Sequence, residues 1–187
     1  MRRLTVKSLL PLLKFAPLLK SALAFCALGV AVSSTACGGS ASFDGQVFHG
    51  GRTSFKAGPI PASWERLHLD GPLLAFHDRE SDGSIDVYAQ CGKDADDVPL
   101  VALTKHLLIG FTEREFKEEK LVQLDGREGM HTRVDAKLDG VKMSLDLYVL
   151  KKDGCVYDLV YVAYPDRFPR GISGFSSFVA GFGTVGG

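Results

Sequence analysis

The chain has 187 residues, enough for one ordinary domain and a leader, and its content of 45% hydrophobic and 10% aromatic residues excludes an intrinsically disordered protein. Its 22 basic and 22 acidic residues give a formal charge of zero, but residues 1–36 hold five bases and no acid. Residues 37–187 therefore carry a formal charge of −5, with 17 bases against 22 acids. Such an acidic domain argues against nucleic-acid binding, which needs a basic surface.

The first 36 residues are typical of an export signal. A basic, leucine-rich segment ends at Lys20 and is followed by twelve uncharged residues, 21–32, and then by the small residues 33–36. This order of positive end, short apolar run and small-residue cleavage site is that of a secretory signal peptide. A membrane-spanning helix needs about 20 apolar residues, and Lys20 interrupts any longer run. We therefore expect residues 1–36 to be a signal peptide.

Cys37 directly follows the small-residue run. The segment 34–37, Ser-Thr-Ala-Cys, resembles the lipobox of bacterial lipoproteins, in which the cysteine becomes the first mature residue and carries lipid. The resemblance implies that Cys37 carries lipid, including palmitate, and that residues 37–42 form a small-residue tether. It also implies a protein anchored to a membrane of the bacterial cell envelope, expected to be the outer membrane, on its periplasmic or surface face. The alternative is secretion without lipid, after cleavage at or near Ala36.

Residues 43–187 are predicted to form a single α+β domain, an antiparallel sheet covered by two helices. In chain order we expect a strand or hairpin over 43–56, a strand over 64–69, a hairpin over 73–91, a helix over 97–109, an antiparallel meander over 113–164 and a helix over 170–182.

The meander is predicted from its turns and from alternation. Asp-Gly pairs begin at residues 125, 139 and 153, a spacing of 14 residues, and Asp-Gly favours tight hairpin turns. Between them, apolar and polar residues alternate over 130–138 and 141–149, as in strands with one buried face. Residues 156–163 are apolar almost throughout, interrupted by Asp158, so this strand is predicted to be central.

Two segments change to a helical period. Residues 97–109 carry an apolar stripe, with Asp96 or Asp97 as the expected N-cap, Pro99 in the first turn and Gly110 as the stop. The second segment carries Phe175, Phe178, Val179 and Phe182 at positions i, i+3, i+4 and i+7.

The positions of the four cysteines indicate different roles for them. Cys26 lies in the signal peptide and Cys37 is the lipidation residue, which leaves Cys91 and Cys155 as a pair in an oxidising compartment. We predict that these two form a disulfide bond; the alternative is a pair of buried free thiols.

The order of elements resembles the PsbP-like family of α/β/α sandwiches. The resemblance rests on the segment Phe55–Trp64, the central helix, the long meander and the phenylalanine-rich final helix. It implies a small accessory or binding protein, often exported, without a shared catalytic centre, and it assigns no functional residue.

The sequence contains no motif that carries catalysis or holds a metal or cofactor. It has no His-Glu-x-x-His pattern, no Gly-x-Ser-x-Gly elbow and no Gly-x-Gly-x-x-Gly loop. His106 is expected on a helix surface rather than as a ligand, and His131 on a solvated strand face. We therefore predict no catalytic residue, no metal and no cofactor.

The expected function is a non-enzymatic binding or accessory role in the envelope. The candidate partner surface is the polar face of the meander around Arg133, Lys137 and Tyr148, and the candidate partner is an envelope protein. Reversing the charges of Arg133 and Lys137 should weaken recovery of the partner and leave the melting temperature nearly unchanged, because exposed charge changes alter stability by no more than about 0.5 kcal/mol. Two alternatives stay open: a small-molecule-binding lipoprotein with a pocket between a helix and the sheet, and a hydrolase with dispersed catalytic residues.

Overall fold

The secondary structure follows the order predicted from the hydrophobic pattern. The computed structural model describes residues 41–69, 71–92 and 97–185. Within them, the elements in chain order are β1 (Ser42–Phe43), β2 (Val47–Gly50), β3 (Thr53–Lys56), β4 (Trp64–Leu67), β5 (Leu73–Asp78), β6 (Gly83–Cys91), α1 (Leu100–Leu107), β7 (Phe111–Leu124), β8 (Arg127–Leu138), β9 (Val141–Lys152), β10 (Cys155–Ala163), α2 (Phe168–Ala180) and β11 (Gly183–Thr184). The predicted α+β class is confirmed.

A seven-stranded antiparallel sheet organises the domain, in the order β4-β5-β6-β10-β9-β8-β7. The three hairpin turns of the meander place Asp125, Asp139 and Asp153 at φ values of 49°, 50° and 53°. The glycine after each aspartate also has a positive φ. Two successive positive φ values define the type I′ turn, whose twist matches that of the flanking strands. The Asp-Gly spacing therefore set the strand lengths, and β10 is central as predicted.

The two helices lie on opposite faces of this sheet. We call the face that packs against α2 the α2 face; there Phe175 and Phe178 join a buried core with Trp64 and Tyr161. The opposite face, the α1 face, packs the α1 residues Leu100, Leu103 and Leu107 against Met130, Val149 and Val156. Burying a large apolar side chain contributes about 1.5–3 kcal/mol, so both helices are held by their apolar stripes. The result is an α/β/α sandwich.

A second, four-stranded sheet has the order β1-β2-β3-β11. Its buried Phe48 and Phe55 continue the core of the α2 face, where Phe55 contacts Tyr157 and Phe182. The sequence predicts only the hairpin of this sheet, because the two-residue strand β11 is too short to show an alternating pattern. Its register comes from pairing with β3.

The helix boundaries differ from the predicted ones. Pro99, with φ −60° and ψ 145°, occupies the N-cap position of α1, and no side chain of the described residues caps the helix. Asp97 is therefore not the cap, and Asp96 lies outside the described residues. A proline disfavours helical geometry in the residue before it, which moves the start of α1 to Leu100. No helix within the described residues is long and apolar enough to cross a membrane.

Candidate functional site

Cys91 and Cys155 are directly opposite each other on the central strands β6 and β10. Their sulfur atoms are 1.99 Å apart and their Cα atoms 4.0 Å apart, so the structure contains the disulfide that the sequence predicts. The bond closes a loop with a sequence separation of 64 residues. It joins the end of β6, which precedes α1, to the start of β10, the last strand of the meander.

The predicted signal peptide, residues 1–36, and the predicted lipidation site, Cys37, lie outside the described residues. So does most of the predicted tether, since the described chain begins at Ala41. These assignments stay predictions.

A buried polar cluster lies on the α2 face where β8 meets β9. Asp146 is fully buried, and its Oδ1 lies 2.7 Å from Nε2 of His131 and 3.4 Å from Nε of Arg133. A carboxylate only accepts hydrogen bonds, so Nε2 of His131 donates. The exposed fraction of His131 is only 4%, so the prediction that it lies on a solvated strand face is wrong. We call His131, Arg133, Asp146 and Tyr148 the Asp146 cluster.

Aromatic contacts cover this cluster. The ring of Tyr148 stacks on the imidazole of His131, with centroids 4.2 Å apart, and lies 6.0 Å from the ring of Phe175 on α2. The guanidinium of Arg133 lies 5.9 Å from the ring centroid of Phe168, at the start of α2. Burial, with a smaller contribution from the charge of Asp146, raises the pKa of Tyr148 to about 12. Its hydroxyl therefore stays protonated at neutral pH.

The residues predicted to bind a partner protein lie on one face of the sheet, but they differ in how far they are free to contact such a partner. Arg133 is paired with the buried Asp146, and Tyr148 is half-buried in the same cluster. Lys137 is paired with Glu113 across β7 and β8 at 2.7 Å. Reversing the charge of Arg133 would place a second acid beside Asp146, so we no longer expect this substitution to be neutral for stability. Reversing the charge of Lys137 remains a substitution at the protein surface.

The Asp146 cluster lacks the third member of a catalytic triad. An aspartate that orients a histidine activates a nucleophile only if a hydroxyl or thiol meets the other ring nitrogen. Nδ1 of His131 instead faces a carboxylate oxygen of Glu118 at 3.7 Å. Among the described residues, Ser144 bonds to Asp135 on the same face and not to His131. The arrangement alternates acidic and basic groups, which stabilises a buried polar patch.

A groove of about 470 Å³ opens between the small sheet and the end of β6. Its lining comes from four separate segments: Ala41, Gly50, Gly51, Arg52, Thr53, Leu69, Gly71, Pro72, Tyr88, Ala89, Gln90 and Cys91. Leu69 and Tyr88 are 51% and 39% exposed, so the groove presents apolar surface to solvent. Sequence reasoning places a pocket between a helix and the sheet, and it misses this groove because no local pattern links the four segments.

No protein-family model and no curated protein sequence matches the chain. Among solved structures, the fold is similar to that of cyanobacterial PsbP (CyanoP) from Synechocystis sp. PCC 6803, at 13% identity and a TM-score of 0.54, over 70% of this chain and 86% of that one. It is also similar to LpqN, described as involved in cell envelope biogenesis of Mycobacterium tuberculosis, at 13% identity and a TM-score of 0.54, over 74% of this chain and 88% of that one. The fold is PsbP-like.

Proposed function

We propose that this protein is a lipid-anchored, non-enzymatic binding protein of the bacterial cell envelope whose ligand occupies the groove. Three observations support the proposal. The first is the sequence of residues 1–36, which is typical of a signal peptide and is directly followed by Cys37. The second is the Cys91–Cys155 disulfide, a bond that persists in oxidising compartments. The third is the fold shared with LpqN, a protein described as involved in cell envelope biogenesis.

The position of the groove carries the proposal. Ala41, the first described residue, lines the groove, and only residues 38–40 separate it from Cys37. A fully extended chain spans at most about 3.6 Å per residue, so Ala41 lies within about 14 Å of Cys37. A lipid on Cys37 would therefore hold the rim of the groove close to the membrane surface. A binding protein anchored in this way would meet its ligand at the membrane.

The lining favours a ligand with an apolar body and a polar end. Leu69, Pro72 and Tyr88 provide apolar contact, while Arg52 and Gln90 provide hydrogen-bond donors. The volume falls within the range of about 300–1,000 Å³ that is typical of small-molecule sites. The proposal adopts the small-molecule alternative that the sequence leaves open, with the pocket at the junction of the two sheets rather than between a helix and the sheet.

Replacing Cys37 with alanine tests the anchor. In the native host, the wild-type protein should sediment with membranes, and mass spectrometry should find residues 37–187 with lipid on Cys37. The Cys37→Ala protein should shift to the soluble fraction, because a single protein–membrane link has been removed. A soluble wild-type protein without lipid would instead support plain secretion.

Replacing Leu69 with aspartate tests the groove. We expect this change to weaken binding of the probe 1-anilinonaphthalene-8-sulfonate about tenfold, since it removes apolar contact and adds a charge that repels the sulfonate. Leu121, which is 54% exposed on β7, provides the matched control. Leu121→Asp should leave binding unchanged, and both variants should keep the wild-type melting temperature within a few degrees. Equal loss in both variants would show that the probe binds apolar surface without regard to the groove.

A further inference from the structure

Asp158 is an acid in the most apolar strand of the sheet. Val156, Val160 and Val162 of β10 pack on the α1 face, and Asp158 lies between them in the same alternating set. It is opposite Val149 on β9 and Tyr88 on β6. Packing alone would place an aliphatic side chain at this position, because strand residues two apart face the same side of the sheet.

Asp158 lies in a cleft between α1 and the sheet. The cleft has a volume of about 250 Å³ and is lined by Gln90, Val98, Leu103, His106, Leu107 and Val156 together with Asp158. Its walls are therefore mainly aliphatic. It shares only Gln90 with the groove described above.

The carboxyl of Asp158 has no partner for one of its oxygens. Oδ1 is shielded from solvent and makes no hydrogen bond within the described part of the chain. A buried polar atom without a hydrogen bond is destabilising, and most such atoms in native proteins find a protein or water partner. Burial raises the pKa of Asp158 to about 7. A cation bound beside this carboxyl would stabilise its charged form, which burial disfavours.

The surrounding charges favour a positively charged donor. Asp86 on β6 is opposite Val160, so it is a diagonal neighbour of Asp158 on the same face. Burial raises its pKa as well, opposed by a hydrogen bond from Oγ of Ser84. Of the basic groups nearby, Lys151 donates from Nζ to the carbonyl of Val98 at 3.1 Å, and His106 lies on the exposed side of α1. Tyr88 completes the titratable groups that face Asp158 from β6.

We propose that this cleft binds a small organic cation, a primary ammonium on an aliphatic body. The ammonium pairs with the carboxylate of Asp158, and the aliphatic part lies against Leu103, Leu107 and Val156. A volume of about 250 Å³ accommodates about eight groups the size of a water molecule, at about 30 Å³ each. An anionic ligand is disfavoured, since two acids line this face.

Titration of the exported protein with n-hexylammonium at pH 8, followed by nuclear magnetic resonance, tests the cleft. Hexylammonium should bind saturably and at least tenfold more tightly than hexanol, while hexanoate should not bind. Asp158→Asn should weaken hexylammonium binding at least tenfold, since it removes the charge and preserves the shape. Asp153→Asn is the matched control, because it removes the same charge at a turn whose positive φ asparagine tolerates.

The pH dependence gives a second measurement. Hexylammonium needs the ionised carboxylate, so affinity should fall about tenfold from pH 8 to pH 6, across a pKa of about 7. His106 also lines the cleft, so His106→Gln is the control and should retain most of the fall, whereas Asp158→Asn should abolish it.

Several results would overturn the proposal: equal binding of hexanol and hexylammonium, full binding by Asp158→Asn, a pH dependence lost in His106→Gln, or no saturable binding by wild type. Leu69→Asp should leave hexylammonium binding intact, and Asp158→Asn should leave binding of 1-anilinonaphthalene-8-sulfonate intact. Failure of the cleft is therefore separable from failure of the groove.

Discussion

Replacing Cys91 and Cys155 together with alanine should lower the free energy of unfolding by about 4 kcal/mol. The disulfide closes a loop of 64 residues in sequence separation, and loop-closure entropy for that length gives about 4 kcal/mol. The two residues are opposite each other on neighbouring central strands, so the pairing of β6 with β10 remains when the bond is removed. We therefore expect a folded but much less stable domain, measured by urea unfolding.

Reduction provides the control for this prediction. Dithiothreitol should lower the stability of the wild-type protein to the level of the double-alanine variant, and it should not affect the variant itself. A loss below about 1 kcal/mol would show that the bond adds little to the strand pairing.

The second large effect is expected at Asp146. Replacing Asp146 with alanine should lower the free energy of unfolding by about 3 kcal/mol. Asp146 is fully buried and accepts hydrogen bonds from His131 and Arg133. Its removal leaves buried donors without an acceptor, and breaking a buried charge pair costs about 3–5 kcal/mol. The lower figure applies because the side chain of Arg133 is 36% exposed and can turn towards solvent.

Asp135→Ala is the matched control for this change. Asp135 lies on the same sheet face and accepts a hydrogen bond from Oγ of Ser144, but its side chain is 42% exposed. We expect Asp135→Ala to lower the free energy of unfolding by about 1 kcal/mol, the ordinary contribution of one hydrogen bond. Equal losses in the two variants, measured by urea unfolding, would contradict a special role for the Asp146 cluster.

The predicted elements that the structure confirms are those with strong local signals. The meander was predictable because each Asp-Gly pair adopts a turn on its own and each strand between turns alternates with period two. The start of α1 was less predictable, since Asp97 and Pro99 compete for the cap position and both suit a helix N-terminus. Strand β11 carried no signal, because the contacts that hold it, its pairing with β3 and the hydrogen bonds of Thr184 to Asp125, join segments distant in sequence.

The candidate sites likewise include one feature that the sequence predicts and one that it does not. The Cys91–Cys155 pair was predictable from the export signal and from the count of cysteines that remain. The burial of His131 was not predictable, because alternation in β8 assigns it to a polar face without showing what lies over that face. The ring of Tyr148, itself against Phe175 of α2, decides that burial.

The sequence by itself determined the order of elements through α2, the turns, the disulfide pair and the expectation of an exported, anchored protein, since each depends on residues close in the chain or on a simple count. Only the tertiary structure decided which polar positions are buried, where the groove opens beside Ala41, and that Oδ1 of Asp158 finds no hydrogen-bond partner among the described residues. These features arise where segments distant in sequence meet. Burial and the electrostatic environment depend on all the neighbours of a side chain, and most of those neighbours are set by packing rather than by the adjacent sequence.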